Sequence, residues 1–142
     1  MLEVVINRGI PRSGKSTFAK KWVLEAPNRA RVNRDDIRMQ LYGQEFGGII
    51  NEGVVTKVQH SMIRTLLNAG ISVIVDDCNI TEKYVTTFTN IAKEFGAAVS
   101  LNVVDTPLKV ALARNLACQE NGERYVPEHV IIDMYNRMHP ED

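Results

Sequence analysis

Eight residues near the start constrain the fold more than anything else in the chain: Gly9-Ile10-Pro11-Arg12-Ser13-Gly14-Lys15-Ser16, followed by Thr17. The spacing G-x-x-x-x-G-K-S is the Walker A pattern of phosphate-binding loops. Glycines there let successive backbone N–H groups turn inward around phosphate oxygens. A helix opening at the end of the loop aims its positive end at the same anion. Lys15 then reaches the β- and γ-phosphates, and Ser16 offers its hydroxyl to Mg²⁺. The flanks agree: residues 2–7 read as a buried strand, and residues 15–25 as a helix ended by Pro27. A chance match in a glycine-containing loop has no need of that strand–helix context. Residues 9–17 therefore read as the site of a nucleoside triphosphate. Arg12 stands where many such loops carry glycine. It either narrows the backbone's freedom or adds a guanidinium beside the nucleotide.

The rest of the chain alternates strand-like and helix-like segments. Residues 29–33 and 71–75 read as strands, the second β-branched at four of five positions. Residues 35–42 read as a short helix with an acidic start, and residues 44–50, with two adjacent glycines, as a mobile loop. A longer helix over residues 51–69 carries Val54, Val55, Val58, Met62, Ile63, Leu66 and Leu67 on one face and ends at Gly70. Thr81 caps a helix bearing Val85, Phe88, Ile91, Ala92 and Phe95. Residues 99–104 read as a strand, Thr106-Pro107 as the cap and first turn of the next helix, and residues 127–138 as the last helix. The expectation is one α/β domain over residues 1–142, a mainly parallel sheet with helices on both faces in three layers.

Composition narrows the function classes. The 17 basic and 17 acidic side chains cancel, which argues against a strongly basic protein that coats nucleic acid but permits a local basic patch. Cys78 and Cys118 form no Cys-x-x-Cys pair and read as reduced thiols. His60, His129 and His139 lack metal-site spacing; His60 and His129 read as surface or capping residues. The opening residues lack a signal peptide's basic start and apolar core, and no run approaches a membrane span, so a cytoplasmic protein is expected.

Four places together resemble the polynucleotide 5′-kinase family, the kinase domain of the phage enzyme and its bacterial relatives. They are the loop beginning Gly9-Ile10-Pro11, the segment Asn33-Arg34-Asp35-Asp36-Ile37-Arg38, the strand end Val75-Asp76-Asp77-Cys78-Asn79, and Arg114-Asn115 with Val126-Pro127. The resemblance implies a P-loop kinase fold with the strand ending at Asp76 beside the P-loop strand. It also implies ATP with Mg²⁺ and transfer of the γ-phosphate to the 5′-hydroxyl of a DNA or RNA end. On that pattern Asp35 is the general base, Arg38 binds an acceptor phosphate, and Asp77 lies in the acceptor pocket, orienting Arg38 or holding a magnesium-bound water. Spacing on a helix agrees, since residues three apart share a face. Read without the resemblance, Asp35 or Asp36 caps the helix, Arg38 is solvated and Asp77 is a strand-end cap.

The chain departs from the family where the lid arginine belongs, four residues after Arg114-Asn115. Cys118 stands there, and Arg124, then Arg114, are the candidates to substitute. Arg34, Arg38, Lys57 and Arg64 are candidates for lining the acceptor entrance. No Asp-x-Asp-Gly-Thr motif occurs, so phosphatase activity is not expected. A kinase of a small-molecule hydroxyl (nucleoside, nucleotide, sugar or antibiotic) or of a toxin-like kind would use the same loop and aspartate. So would a nucleotide-dependent switch, although the Asn-Lys-x-Asp motif of a GTPase is absent. Oligomerisation stays open; the last helix is core or a dimer face.

Overall fold

The computed structural model describes residues 1–140. Strand β1 (Glu3–Arg8) leads through the Walker A loop into α1 (Lys15–Leu24) and β2 (Arg29–Val32). Helices α2 (Arg34–Tyr42) and α3 (Glu52–Asn68) then precede β3 (Ser72–Val75). Helix α4 (Glu82–Glu94), β4 (Ala98–Val103), α5 (Leu108–Glu120) and α6 (Glu128–Met138) follow. The described sheet has four strands in the order β2-β3-β1-β4, and all pairings are parallel. As expected, β3 lies beside β1, with Val4 opposite Val73 and Ile6 opposite Val75.

The two faces of β1 build two cores, because successive side chains alternate. Val4 and Ile6 pack with Val73 and Val75 against Val55, Ile63 and Leu67 of α3 and Phe88 of α4. Val5 and Ile74 face the other way, onto Ala19 and Trp22 of α1. Each fully buried branched aliphatic contributes roughly 1.5–3 kcal/mol, so both layers hold the sheet firmly. A third core joins Ile10 of the Walker A loop to Ala111, Val126 and Ile131, which docks α5 and α6 on the loop rather than on the sheet. Ile131 thus makes α6 core on at least one face.

Several local expectations change. Val54 is 40% exposed while Val55, in the same first turn, is fully buried: the buried line of α3 runs through Val55, Gln59, Ile63 and Leu67, and Val54 stands beside it. Neither Asp35 nor Asp36 caps α2. Asn33 does, its Oδ1 accepting from the Asp36 N–H at 2.9 Å, so the helix begins at Arg34. Thr106 does not cap α5; its hydroxyl donates to the Ser13 carbonyl at 2.7 Å and ties the loop to β4's end. Thr81 precedes α4 without a side-chain cap. His60 is partly buried, edge-on to Phe88 with ring centroids 5.8 Å apart. Both cysteines are free thiols. Among the described residues no helix is long and apolar enough to cross a membrane.

Candidate active site

The carboxyl ends of parallel strands are where open α/β sheets gather ligands, and β1 and β3 deliver their chemistry there. After Arg8 the chain turns tightly: a Cβ on Gly9 would meet Ser13 Oγ at 2.6 Å and the Val104 carbonyl at 3.0 Å, so only glycine fits. Gly14 takes φ 98° at the N-terminus of α1. Arg12 also takes a left-handed conformation, φ 66°, which for a non-glycine residue costs roughly 1–2 kcal/mol. Its side chain shows what opposes that strain. One guanidinium nitrogen donates to the Arg124 carbonyl, while the Arg12 carbonyl accepts from Arg114 Nη1 at 3.0 Å. Arg12 therefore links the loop to the segment between α5 and α6.

Two buried polar atoms in the loop, Arg12 Nε and Ser13 Oγ, have no hydrogen-bond partner among the described residues. An unsatisfied buried donor costs roughly 1–3 kcal/mol, a cost an incoming anion would relieve. Lys15 Nζ rests against the Ile10 carbonyl at 3.4 Å. Ser16, in the first turn of α1, suits Mg²⁺ as nucleotide sites use it: one protein hydroxyl, with phosphate oxygens and water completing the octahedron. No cluster of three or more His, Cys, Asp or Glu that could hold a metal alone exists among the described residues.

Beneath the loop lies a polar network the sequence reading missed. Asn7, fully buried, donates to the Lys15 carbonyl at 2.9 Å and to Asp76 Oδ1 at 3.0 Å, and accepts from Asn102 at 2.9 Å. Arg31 Nε meets Asp76 Oδ2 at 2.6 Å and its Nη1 meets Asp36 at 2.5 Å. Asp76 is fully buried, so removing Arg31 would leave an uncompensated charge, typically a loss of about 3–5 kcal/mol. This network locks all four strand ends and the start of α2 to the base of the loop. Asn79 also belongs to the frame: with φ 47°, its amide donates to the Asn7 carbonyl at 2.8 Å.

Helix α2 presents Asp35 and Arg38 on one face, with Arg38 Nη1 donating to Asp35 Oδ1 at 2.7 Å. The rest of the Arg38 fork grips Glu52, Nη2 to Oε1 at 2.8 Å and Nε to Oε2 at 3.0 Å. Arg34 turns toward α3 as well, reaching Glu52 Oε1 at 3.0 Å, Thr56 at 3.0 Å and Gln59 Oε1 at 3.2 Å. The arginine bonds, Arg38 first, hold the Glu52 carboxyl below the usual carboxylate range.

Asp77 does not touch Arg38. Its Oδ1 accepts from the Arg34 backbone N–H at 2.9 Å and its Oδ2 from Gln59 Nε2 at 2.5 Å. The reason is geometric: the end of β3 faces the first turn of α2, whose backbone N–H groups lack intrahelical partners. Asp77 keeps some contact with solvent, yet its carboxyl is enclosed, and burial pushes it up to about 6.

The segment after α5 returns to this face because Asn115 clamps it. Asn115 Nδ2 donates to the Val126 carbonyl at 2.7 Å, and the Val126 N–H donates to Asn115 Oδ1 at 3.0 Å. Arg124 thereby lies across the mouth, 3.7 Å from Asp35 Oδ2 and ion-paired with Glu45. Burial raises the Glu45 carboxyl, and Arg124 opposes the rise. Cys78 sits beneath, its thiol pushed up by burial while the charges of Lys15 and Asp35 both act on it. The loop and the face of α2 that carries Asp35 thus meet at Arg124. Arg64 lies elsewhere: twelve residues, about 18 Å, along α3 from Glu52, it pairs with Glu94 of α4 at 3.0 Å. Lys57 borders an apolar groove on the outer side of α3 with Val58 and Met62. Neither lines the mouth.

Residues 4–140 match the AAA domain family. The chain is 31% identical over 139 residues to the L-seryl-tRNA(Sec) kinase of Methanococcus maripaludis, covering 94% of this chain and 51% of that protein. In structure it is similar to a chain of the Pnkp1/Rnl/Hen1 RNA repair complex, with a TM-score of 0.87 and 27% identity over 98% of this chain and 44% of that one. The APS kinase of Mycobacterium tuberculosis, in complex with AMPPNP and APS, shares the fold at a TM-score of 0.64 and 20% identity, covering 87% and 73% of the two chains. The chain spans about half the length of the curated relative it matches. The chain belongs to the AAA domain family.

Proposed function

We propose that this AAA-domain protein is a kinase that transfers the γ-phosphate of ATP to the 5′-hydroxyl of a DNA or RNA end, with Asp35 as the general base. The observation that carries the reading is the meeting of two faces: Asp35 faces Arg124 at 3.7 Å, and the Arg124 carbonyl accepts from Arg12 of the phosphate-binding loop. A hydroxyl admitted between them would have a carboxylate on one side and a phosphate cradle on the other. The likeness to a chain of an RNA repair complex supports a nucleic-acid acceptor.

The roles follow from position. Backbone N–H groups of residues 9–14 and the start of α1 hold the β- and γ-phosphates, and Lys15 neutralises their charge. Bound Mg²⁺, held by Ser16, would supply Lewis-acid stabilisation of charge on the phosphate oxygens. Asp35 accepts the proton of the attacking hydroxyl. Arg38 forms a bidentate contact with an acceptor phosphate, and Arg124 and Arg114 close over the nucleotide.

Asp35→Asn tests the reading. It should leave ATP binding unchanged and lower kcat by roughly two to four powers of ten, the usual worth of a general base. Near-normal turnover would remove Asp35 from that role. The 31% identity to an L-seryl-tRNA(Sec) kinase supports a second reading, in which the same machinery phosphorylates a hydroxyl that is not a nucleic-acid 5′ end.

A further inference from the structure

Two arginines converge on one carboxylate at the proposed acceptor face. Arg38 offers its Nε and Nη2 edge to both oxygens of Glu52 at 2.8 and 3.0 Å, and Arg34 Nη2 adds a third bond to Oε1 at 3.0 Å. This forked, bidentate pattern is the one guanidinium groups make with phosphate. Arg38 has one further bond, to Asp35, so its binding edge is fully occupied. Glu52 is about half exposed and lies in the first turn of α3, just after the segment containing Gly47 and Gly48. The arginines, by contrast, keep only 19% and 21% of their side-chain surface exposed. The seat is anchored, and its occupant is the exchangeable partner.

We propose that Glu52 is a resident carboxylate in the phosphate seat of Arg34 and Arg38, which an acceptor's phosphate must displace before the arginines can hold it. The inference rests on the acceptor reading given above. A phosphate, monoanionic as the diester of a strand and dianionic in 3′-AMP, competes with the carboxylate by offering two oxygens to the same two guanidinium groups. An acceptor without a phosphate leaves Glu52 in place and meets Asp35 still tied to Arg38. Glu52 thus lowers the affinity for a phosphate-bearing acceptor and leaves a phosphate-free one nearly unaffected, which makes the seat a self-inhibited one. Half of the Glu52 side chain already meets water, so the carboxylate can leave the seat without a new opening of the fold.

Glu52→Gln, nearly the same shape, tests this with 3′-AMP and adenosine as acceptors. The KM for 3′-AMP should fall about three- to tenfold, with adenosine changed much less, because the charge that competes for Arg34 and Arg38 is removed. A rise in the 3′-AMP KM would overturn the proposal and make Glu52 a brace for Arg38. An equal change for both acceptors would also overturn it. Calorimetric titration of 3′-AMP under saturating ADP and Mg²⁺ reads the seat without turnover. Tighter binding to Glu52→Gln, abolished in Glu52→Gln with Arg38→Ala, supports the proposal. Unchanged or weaker binding overturns it. If the wild type labels no 5′-hydroxyl acceptor while the titration still tightens, the kinase reading fails and the seat stands.

Discussion

Asp77 is the site residue whose energetics can be worked furthest from the structure. Its carboxyl rises from 3.8 to about 6 because burial disfavours the ion more than the Arg34 N–H and Gln59 stabilise it. The folded chain therefore holds a proton that the unfolded chain has released, and stability falls as pH rises through that window. Below the unfolded value both states are protonated and nothing is lost; above about 6 the loss is complete. Roughly two pH units at about 1.4 kcal/mol each give about 3 kcal/mol, an upper bound because the residue keeps some solvent contact. About 2 kcal/mol of that falls between about pH 4.5 and 7.5. Asp77→Asn removes the titration while keeping the shape, so the stability difference between wild type and variant should change by about 2 kcal/mol between those two values. Comparing the two proteins at each pH cancels the other titrating groups. The assay is urea unfolding followed by the single tryptophan, Trp22, which is 7% exposed and stacked under Arg29 at 4.3 Å. The relative midpoints should move by about 1 M. Parallel curves, with the same gap at both pH values, would refute the reasoning.

Lys15→Ala and Ser16→Ala should each abolish turnover and leave the urea midpoint nearly unchanged, since both act on phosphate or metal and not on the core; unfolding of either would contradict this. Arg38→Ala should raise the KM of acceptors carrying a 3′-phosphate next to the reacting sugar and leave the ATP KM alone, as initial rates against both substrates would show. Arg12→Gly should change stability by no more than about 1 kcal/mol, because relief of the left-handed φ of 66° is offset by loss of the bond to the Arg124 carbonyl, and it should weaken ATP binding through loss of that link. Thermal melts with and without ATP separate the two effects.

What the sequence revealed was local. The Walker A loop is contiguous, and its strand and helix flanks are set by short-range patterns, so β1, the loop and α1 were all legible. That the strands run parallel was legible in their alternation with helices, whereas the place of β3 beside β1 was implied only by the family resemblance. The side-chain partners were not. Gln59 falls four residues from both Val55 and Ile63, a polar residue on an otherwise apolar line of α3, and that was the available signal that something buried needed a hydrogen bond. It lies 18 residues from Asp77, a separation at which spacing carries no information. Glu45 and Glu52 resemble any charged residues of a loop and a helix start; only the fold brings them onto Arg124 and Arg38. Asn7 and Arg31 were hidden inside strands. Of the roles open to Asp77, orienting Arg38 is not the one the fold adopts: Arg38 turns to Glu52, and Asp77 binds the Arg34 N–H and Gln59.

The most direct test of the central claim uses γ-labelled ATP with Mg²⁺ and a panel of acceptors: 5′-hydroxyl DNA and RNA oligonucleotides, 3′-nucleoside monophosphates, free nucleosides, seryl-tRNA and small alcohols. The account predicts label on the oligonucleotides and the 3′-monophosphates, little on free nucleosides, and a salt dependence reflecting about one to three phosphates. Equal labelling of nucleoside and 3′-monophosphate without salt dependence, or label confined to seryl-tRNA or small alcohols, would contradict it.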